Sequence, residues 1–287
     1  RKVTTIKGTA PAKINLTLHV TGQRTDGYHQ LDSLVVFAGV FDQITATTAS
    51  ELSLRVSGPF RDGVPTDNSN LVIRAAQTLR DMRGVTAGAK LHLDKNLPHA
   101  AGIGSGSSDA AITLAMLAQL WDVPPLDPKS AEVTALGADV PVCLQAPDPT
   151  RMMGIGDILI PAPRLPDCAL VLVNPRVTVP TGQVFDDLNS KRNPSMATLP
   201  KGLDFDGFAA WLAGQRNDLE PPARAVAPAV DRVLAKLNAL PLVAHAGMSG
   251  SGATCYGLVR NMADAAQVAR VLQVTEMGWW VAPARLL

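Results

Sequence analysis

The sequence lacks the features that mark membrane proteins and nucleic-acid-binding proteins. None of its apolar stretches approaches the ~20 residues that span a bilayer, so we expect no transmembrane helix. The net charge is also small, at +1, because 26 Lys and Arg residues are balanced by 25 Asp and Glu residues. Such a balance provides no basic field for a nucleic acid and favours a small molecule as the ligand.

Cysteine is scarce, and no group of residues has the spacing of a metal site. The three cysteines, Cys143, Cys168 and Cys255, are far apart and lie among apolar neighbours. We therefore predict three buried thiols, which suit a reducing cytoplasm. The first residues, Arg1–Lys7, show no signal peptide, so a cytoplasmic protein is expected and its metal ligands stay unknown.

What is present is enough apolar sequence for a large core. Of the 287 residues, 46% are hydrophobic, which predicts one large or two modest domains. Strand-like and helix-like segments mix without strict alternation, which indicates the α+β class. A loop-like segment at Ala146–Pro149 suggests two domains, 1–150 and 151–287.

Several elements can be predicted from local pattern. Alternation of apolar and polar residues predicts a strand over 13–20, and two further segments, 43–48 and 52–56, are interpreted as a strand pair. Helical spacing predicts one helix over 70–82 that ends at Gly84, and another over 109–120.

The most informative segment is a Gly- and Ser-rich loop, Leu97–Ser108, which leads directly into the predicted helix at Asp109. A loop with small side chains at a helix N-terminus presents unpaired backbone N–H groups and the positive end of the helix dipole. Glycines let the backbone approach an anion closely, and serine hydroxyls add donors. This pattern indicates a phosphate site.

The loop does not match the two common phosphate-binding fingerprints. No Lys follows its glycines, which excludes a Walker loop, and the third glycine of a dinucleotide fingerprint is missing. From this loop alone, a plain structural turn remains an equal alternative to phosphate binding.

Further motifs carry a resemblance that decides between a structural turn and a phosphate site. They are Pro11–Leu16, Thr21–His29, Lys95–Pro98, Leu136–Pro141, Asn217–Glu220 and Gly247–Thr254. Pro180-Thr181 and Phe185, which lie between Leu136–Pro141 and Asn217–Glu220, add to them. With the Gly/Ser loop, these motifs resemble those of the GHMP kinase family over about residues 10 to 260. The segment Asp26–His29 is the most specific, because it distinguishes the members that act on a cytidine-diphosphate substrate.

The resemblance implies a fold, an activity and cofactors. The fold is the two-domain GHMP kinase architecture, with an N-terminal ATP-binding domain over 1–150, a C-terminal substrate-binding domain over 151–287, and the active site in the interdomain cleft. The activity is phosphoryl transfer from ATP, with Mg²⁺, to the 2-hydroxyl of cytidine-diphosphate methylerythritol in isoprenoid precursor biosynthesis. No nucleic-acid or membrane partner is implied, and the oligomeric state stays unknown.

The same resemblance implies two catalytic residues. Asp139 would accept or orient the proton of the substrate hydroxyl, and Lys13 would stabilise Asp139 and the transferred charge. A carboxylate beside an ammonium stays ionised, so Asp139 could serve as a base at neutral pH. Without the resemblance, Asp139 reads as a turn or cap residue and Lys13 as a solvated strand residue.

The substrate contacts are also implied by resemblance. Tyr28 and Phe185 would sandwich the cytosine ring, and His29 would bond to its polar edge. The other implied substrate contacts are Asn15, Asp139, Thr181 and Gly250. Taken alone, Phe185 reads as a core residue and Tyr28 and His29 as part of a turn.

The implied nucleotide contacts centre on the Gly/Ser loop. They are Asn70, Leu71, Lys95, Pro98, Ala101, Gly102, Gly104, Ser105, Gly106, Ser107 and Ser108. The chain departs from the family pattern at Ala100, Ala101 and Ser105, and at Asp109, where Asn is usual. An Asp in the first helical turn stabilises the helix, but its charge is unfavourable beside a triphosphate.

Two alternative functions follow from the same motifs. Another GHMP small-molecule kinase, of the homoserine or mevalonate type, would share the loop but would not need Tyr28, His29 and Phe185 around a base. A non-enzymatic nucleotide-binding module would need the loop but neither Lys13 nor Asp139.

Overall fold

The computed structural model describes residues 2–287 and shows a mixture of strands and helices. In chain order the elements are β1 (Thr5–Asn15), β2 (His19–Gln23), β3 (His29–Ala49), β4 (Leu52–Ser57), α1 (Leu71–Arg83), β5 (Gly88–Asp94), α2 (Ser105–Leu120), α3 (Ala131–Leu136), α4 (Val140–Cys143), β6 (Thr150–Gly154), β7 (Ile158–Pro161), β8 (Ala169–Asn174), α5 (Thr181–Asp186), α6 (Phe205–Ala213), α7 (Glu220–Val226), α8 (Ala229–Asn238), β9 (His245–Met248), β10 (Cys255–Val259), α9 (Met262–Thr275) and β11 (Trp280–Arg285). The order lacks a regular strand–helix repeat, and the α+β class is confirmed. None of the helices within residues 2–287 has the length and apolar character needed to cross a bilayer.

The chain forms two compact units whose segments alternate along the sequence. The first unit contains the chain up to Ala12, Phe41–His99 and Gly104–Gln145. The second contains Lys13–Val40, Ala100–Ile103 and Ala146–Leu287. Strands β1 and β3 therefore contribute residues to both units. The assignment of residues 1–150 to nucleotide binding and of 151–287 to substrate binding stays a prediction.

In the first unit, β5 lies between two other strands. It pairs antiparallel with the second half of β3 and parallel with β4. The prediction that 43–48 pairs directly with 52–56 is therefore wrong. Parallel strands need a long crossover, and the connection from β4 to β5 provides one through α1.

Helix α1 has clear signals at both of its ends. The side chain of Asn70 accepts a hydrogen bond from the amide of Val72 at 2.8 Å, which caps the first turn. At the other end, Gly84 takes a left-handed conformation with φ of 62°. The predicted helix over 70–82 is confirmed, and α1 packs against α2.

Helix α2 begins earlier than its sequence pattern predicts. The predicted start at Asp109 is wrong, because the helix begins at Ser105. Gly104 adopts a left-handed φ of 56°, and its carbonyl accepts the amide of Ser108 at 2.8 Å. The Gly/Ser segment therefore forms the first helical turn instead of a loop before it.

The second unit contains an antiparallel sheet of four strands in the order β11-β8-β10-β9. All six residues of β8 are buried, and α8 and α9 pack against this sheet. The core combines apolar side chains from these elements with Leu18, which precedes β2, and Val20 within β2. Its other members include Val171, Val173, Val233 and Leu272. The early segment around residue 20 is thus part of a core built mostly from the last third of the chain.

The predicted continuous strand over 13–20 is interrupted. Strand β1 ends at Asn15 and β2 begins at His19. Between them the backbone changes partners: the amide of Leu16 donates to the carbonyl of Leu34, and the amide of Leu18 donates to that of Arg216. Alternation of side chains could not reveal this exchange, because it depends on a partner near residue 216.

The thiols follow the sequence prediction in two of three positions. Cys143 and Cys255 are buried, as predicted. Cys168, which precedes β8, is only partly buried, so the prediction is wrong there. Its environment is still apolar enough that burial raises the pKa of its thiol to about 12.

Candidate active site

The first turn of α2 is held in place by the hydroxyl of Ser105. This hydroxyl donates to the carbonyl of Pro98 at 3.1 Å and accepts from Nζ of Lys95 at 3.0 Å. The hydroxyl of Ser105 therefore both donates and accepts a hydrogen bond within the protein. It positions the turn, and a hydrogen bond from Ser105 to an anion would come from its backbone N–H.

The rest of this turn offers backbone donors. The hydroxyl of Ser108 donates to the carbonyl of Pro11 at 2.7 Å, which fixes a second point of the turn. Gly104 precedes the helix and has no side chain to cap its first amides, and Gly106 and Ser107 are partly exposed. A helix start with uncapped amides and partly exposed backbone is suited to bind an anion.

A buried charge cluster lies directly behind the turn. Nζ of Lys95 donates to Asp42 at 2.6 Å and to Asp109 at 2.9 Å, and the three side chains are at most 2% exposed. Burial by itself lowers the pKa of Lys95, but its electrostatic interactions and hydrogen bonds with Asp109 and Asp42 outweigh this effect, and the pKa is raised. With its contact to Ser105, all three donors of Lys95 are occupied. Its predicted contact with adenine or ribose stays a prediction.

Asn70 and Leu71 lie at the start of α1. The amide group of Asn70 is used on both sides, since its oxygen caps the helix and its nitrogen donates to the carbonyl of Pro65 at 2.8 Å. Leu71 adjoins the turn, because a Cβ atom added at Gly106 would lie 3.8 Å from its Cδ1. Their nucleotide contacts stay predictions.

Asp139 lies at the beginning of the short helix α4, also in the first unit. It is half-buried, and its backbone carbonyl accepts the amide of Cys143 at 3.1 Å. Its carboxyl group makes no capping hydrogen bond to this helix. The alternative interpretation of Asp139, as a residue whose side chain caps a helix, is therefore not supported.

In the second unit, Ala101 and Gly102 pack against the Gly- and Ser-rich segment Gly247–Thr254, which is called the third motif below. The carbonyl of Gly102 accepts the hydroxyl of Ser249 at 2.8 Å, and the carbonyl of Ala101 accepts the amide of Thr254 at 3.1 Å. Gly250 has a φ of 58°, and a Cβ atom added to it would lie 2.9 Å from the carbonyl oxygen of Gly102. Three predicted site residues, Ala101, Gly102 and Gly250, are thus brought together by close backbone contact.

Lys13 begins a buried polar chain in the same unit. Its Nζ donates to the amide oxygen of Asn15 at 2.6 Å, and the nitrogen of that amide donates to the hydroxyl of Ser33 at 2.9 Å. Lys13 is only 3% exposed, so the interpretation of a solvated strand residue is wrong. The backbone amide of Asn15 donates to Ser249, which ties this chain to the third motif.

Asn217 belongs to the motif Asn217–Glu220, but the sequence predicts no role for it. Its side-chain nitrogen donates to two carbonyls, those of Met248 at 2.8 Å and Gly250 at 2.9 Å. Its oxygen accepts the amide of Leu219 at 3.0 Å. Asn217 therefore fixes the backbone of the third motif. Asp42 was also missed, and its only signal is a carboxylate in an otherwise apolar stretch.

An aromatic pair marks the predicted base site. The ring of His29 stacks on that of Phe185, with centroids 4.6 Å apart, whereas Tyr28 is 58% exposed. Burial, followed by the charge of Lys191, lowers the pKa of His29. Its Nε2 is buried and has no hydrogen-bond partner among residues 2–287. The sandwich of a base between Tyr28 and Phe185 stays a prediction.

Two further observations concern the predicted polar contacts. The hydroxyl of Thr181, at the start of α5, lies 2.8 Å from that of Ser251, so Thr181 adjoins the third motif. Residues 2–287 contain no group of three or more His, Cys, Asp or Glu side chains arranged to hold a metal ion.

Comparison with known proteins agrees with this arrangement. The family model for the GHMP kinases N terminal domain matches residues 70–147, and that for GHMP kinases C terminal matches residues 198–274. The chain is 53% identical over 280 residues to the 4-diphosphocytidyl-2-C-methyl-D-erythritol kinase of Cereibacter sphaeroides, covering 97% of this chain and 98% of that one. The kinase of the same name from Dinoroseobacter shibae is also 53% identical, over 98% and 95% of the two chains.

Solved structures give the same result. A crystal structure of 4-(cytidine 5'-diphospho)-2C-methyl-D-erythritol kinase matches with a TM-score of 0.78 and 30% identity, covering 98% of this chain and 99% of that one. The mevalonate kinase of Methanococcus jannaschii shares the fold, with a TM-score of 0.68 at 13% identity over 99% of both chains. From its two matched regions and from relatives that it resembles over nearly its whole length, the chain belongs to the GHMP kinase family.

Proposed function

We propose that the protein is an ATP-dependent kinase that phosphorylates the 2-hydroxyl of 4-diphosphocytidyl-2-C-methyl-D-erythritol, a reaction of non-mevalonate isoprenoid precursor biosynthesis. The observation that carries this proposal is the 53% identity, over 97% of the chain, to a kinase with that substrate in its name. The likeness to a mevalonate kinase, at 13% identity, supports the fold alone.

The first turn of α2 would hold the triphosphate of ATP. Its uncapped amides and the positive end of the helix dipole attract an anion. The two hydroxyl bonds of Ser105 and Ser108 hold this turn in place before the nucleotide arrives, so little ordering is left to be done on binding. Ser107, whose side chain is partly exposed, would add a hydroxyl donor.

Mg²⁺ is proposed to enter with the nucleotide. Magnesium retains several waters and is commonly held by substrate phosphates together with one or two carboxylates. Bound there, it would neutralise charge on the transferred phosphoryl group. A preformed cluster of protein ligands is not needed for this mode of binding.

Asp139 and Lys13 are proposed to act on the substrate hydroxyl. As the hydroxyl oxygen forms a bond to the γ-phosphorus, the bond between that phosphorus and the β,γ-bridging oxygen breaks, and ADP leaves. The hydroxyl proton passes to the carboxylate of Asp139. The ammonium of Lys13 is held by Asn15 at 2.6 Å, and its positive charge would stabilise the transferred charge.

The pair of His29 and Phe185 is proposed to recognise the cytosine. A stacked aromatic pair offers a flat surface for a base, and stacking contributes about 1–3 kcal/mol. The lowered pKa of His29 keeps its ring neutral at neutral pH, and its unpartnered Nε2 could meet a polar edge of the base.

An ATP-consumption assay with several acceptors tests the proposal. The cytidine compound should be phosphorylated, whereas homoserine and mevalonate should not. Phosphorylation of homoserine or mevalonate, without that of the cytidine compound, would favour another GHMP kinase activity. Binding of ATP without transfer to any of the alcohols would favour a nucleotide-binding module.

A further inference from the structure

The charge cluster behind the phosphate-binding turn contains one cation and two carboxyl groups. Asp42, Lys95 and Asp109 are 0%, 1% and 2% exposed. If both carboxyls were ionised, the cluster would carry a net negative charge without contact with water. Burying an uncompensated charge is costly, and such a group commonly takes up a proton instead.

The hydrogen bonds identify which carboxyl is the negative one. Asp42 accepts three donors: Oδ1 accepts the amides of Asn96 at 2.8 Å and Leu97 at 2.9 Å, and Oδ2 accepts from Lys95 at 2.6 Å. Three donors stabilise an ionised carboxylate strongly. Asp42 is therefore the anion that balances Lys95.

Asp109 has a different environment. Its Oδ2 accepts one bond from Lys95 at 2.9 Å, whereas its Oδ1 is buried and has no partner in the described part of the chain. Asp42 and Asp109 both accept from the same Nζ atom of Lys95, at 2.6 Å and 2.9 Å, which brings the two carboxyl groups close together. Two carboxylates have no hydrogen to share, so a hydrogen bond between these groups would require a proton on one of them.

We propose that Asp109 is a protonated positioning residue, whose neutral carboxyl donates a hydrogen bond to Asp42 and accepts one from Lys95. It lies in α2 one turn after Ser105, and Lys95 bonds to both residues. The neutral Asp109 thereby connects the phosphate-binding turn to β3, through Asp42, and to the residue that follows β5, which is Lys95.

The electrostatics of the cluster agree with this assignment. Burial raises the pKa of Asp109 well above its ordinary value, the charge of Lys95 opposes that shift, and the charge of Asp42 adds to it. Lys95 and Asp42 are the two charged side chains that act on Asp109. A triphosphate bound at the start of α2 would raise this pKa further, because it adds negative charge nearby.

On the basis of the proposed function, a neutral Asp109 also suits its place one turn after the phosphate-binding start of α2, because an ionised Asp near the triphosphate would repel it. A protonated Asp has the shape and hydrogen-bonding pattern of an Asn side chain, with a carbonyl oxygen toward Lys95 and a donor toward Asp42.

The test compares Asp109→Asn with its matched control, Asp42→Asn, by denaturant unfolding at several pH values. A carboxyl that keeps its proton in the folded state loses that proton on unfolding above about pH 4. The folded state then binds more protons than the unfolded state, and wild-type stability falls as pH rises toward the folded pKa. Asp109→Asn should remove this loss, so its stability relative to wild type should increase with pH. Asp42→Asn should be less stable than wild type at neutral pH, since two backbone amides and Lys95 lose a charged acceptor.

Infrared spectroscopy provides a second measurement, which compares the wild-type protein with Asp109→Asn. At pH 7, exposed carboxyls are ionised, and the wild-type protein should show the carbonyl band of a protonated carboxylic acid that Asp109→Asn lacks. An ionised Asp109 would give no such difference. It would also make Asp109→Asn less stable than wild type at neutral pH, with a deficit that shrinks on acidification. Either result, or the same pH dependence in both proteins, overturns the proposal.

A kinetic measurement separates this inference from the proposed function. The wild-type KM for ATP should rise with pH as Asp109 ionises, and the KM of Asp109→Asn should not follow it. Parallel pH dependence of the two KM values would contradict a positioning role. A complete absence of kinase activity would refute the proposed function but leave the unfolding and infrared results as they are.

Discussion

His29 and Phe185 form a stacked pair, with ring centroids 4.6 Å apart and planes inclined by 29°. Positions 29 and 185 are 156 residues apart in the sequence. Both residues belong to the second compact unit, in which Phe185 lies near the end of α5. An aromatic surface of this kind is suited to stack against a base.

Removal of the Phe185 ring should therefore weaken substrate binding. We expect Phe185→Leu to raise the KM for the cytidine substrate roughly tenfold, because one stacking contact contributes about 1–3 kcal/mol. The KM for ATP should stay within about twofold of the wild-type value, because the substitution removes no proposed contact with ATP. The conservative variant Phe185→Tyr keeps the ring and should retain most of the affinity. Equal effects of both variants on the KM for the cytidine substrate would count against a base site.

Replacement of Asp139 should slow the chemical step. We expect Asp139→Asn to lower kcat by about 10²–10⁴-fold, the typical contribution of a positioned base, while both substrates still bind. The matched control is Asp122→Asn, which makes the same change at an exposed position of the same unit. Steady-state kinetics with both substrates measures the effect. A kcat close to that of wild type in Asp139→Asn would eliminate this residue as the base.

A side chain at Gly102 should disturb the third motif. Gly102 has a φ of 80°, and an added Cβ atom would overlap the carbonyl oxygen of Ser249. Gly102→Ala should destabilise the fold by roughly 1–3 kcal/mol from backbone conformation alone. Gly278→Ala is the control, since nothing lies within 4 Å of its added Cβ atom. Equal thermal stability of the two variants would mean that neither the backbone conformation of Gly102 nor its close contact with Ser249 matters for the fold.

The two carbonyls bound by Asn217 predict a large effect from a small change. Asn217→Asp replaces a donor by a carboxylate that faces the carbonyls of Met248 and Gly250. We expect a loss of about 1–3 kcal/mol in unfolding free energy, because the donors to these carbonyls are removed. Asn238→Asp repeats the change at the exposed end of α8 and should have little effect. Similar losses in both variants would indicate a general effect of charge.

Acid should destabilise the protein through His245. Burial lowers the pKa of this residue, which lies in β9 with its ring 6.0 Å from that of Tyr256. Below an unfolded-state pKa of about 6.5, the unfolded chain takes up a proton that the folded protein resists. Stability is therefore complete above this pH and falls as pH decreases. His245→Gln should lose less stability between pH 7 and pH 5 than wild type does, whereas His99→Gln, in an exposed position, should behave as wild type.

Features set by neighbouring residues could be predicted from the sequence. Asn70 and Gly84 mark the two ends of α1, because capping and left-handed termination are local interactions. The start of α2 was misplaced, since Ser and Gly have modest helix propensity and the left-handed Gly104 that begins the turn has no pattern of its own. The site residues were found through a family resemblance, and their spacing alone left Lys13 and Asp139 ambiguous.

Features that depend on distant partners could not be predicted. Asp42 and Lys95 are 53 residues apart, and Asn217 and Gly250 are 33 residues apart. No periodicity reports such pairs, because their hydrogen bonds arise from the packing of strands and helices. For the same reason, the sequence predicts that Asp109 is unfavourable for phosphate binding. The burial of Asp109 and its hydrogen bond to Lys95 are visible only in the fold.

The alternation of the two units along the chain has a consequence for biosynthesis. Leu18 and Val20 emerge early from the ribosome, but the side chains that cover them, such as Val171 and Val233, are translated much later. A nascent polypeptide that has reached only Gln145 exposes this apolar segment to solvent and to other chains. Completion of the second unit is therefore a late event in synthesis, and the apolar side chains of Leu18 and Val20 stay without their core neighbours until the last third of the chain has been made.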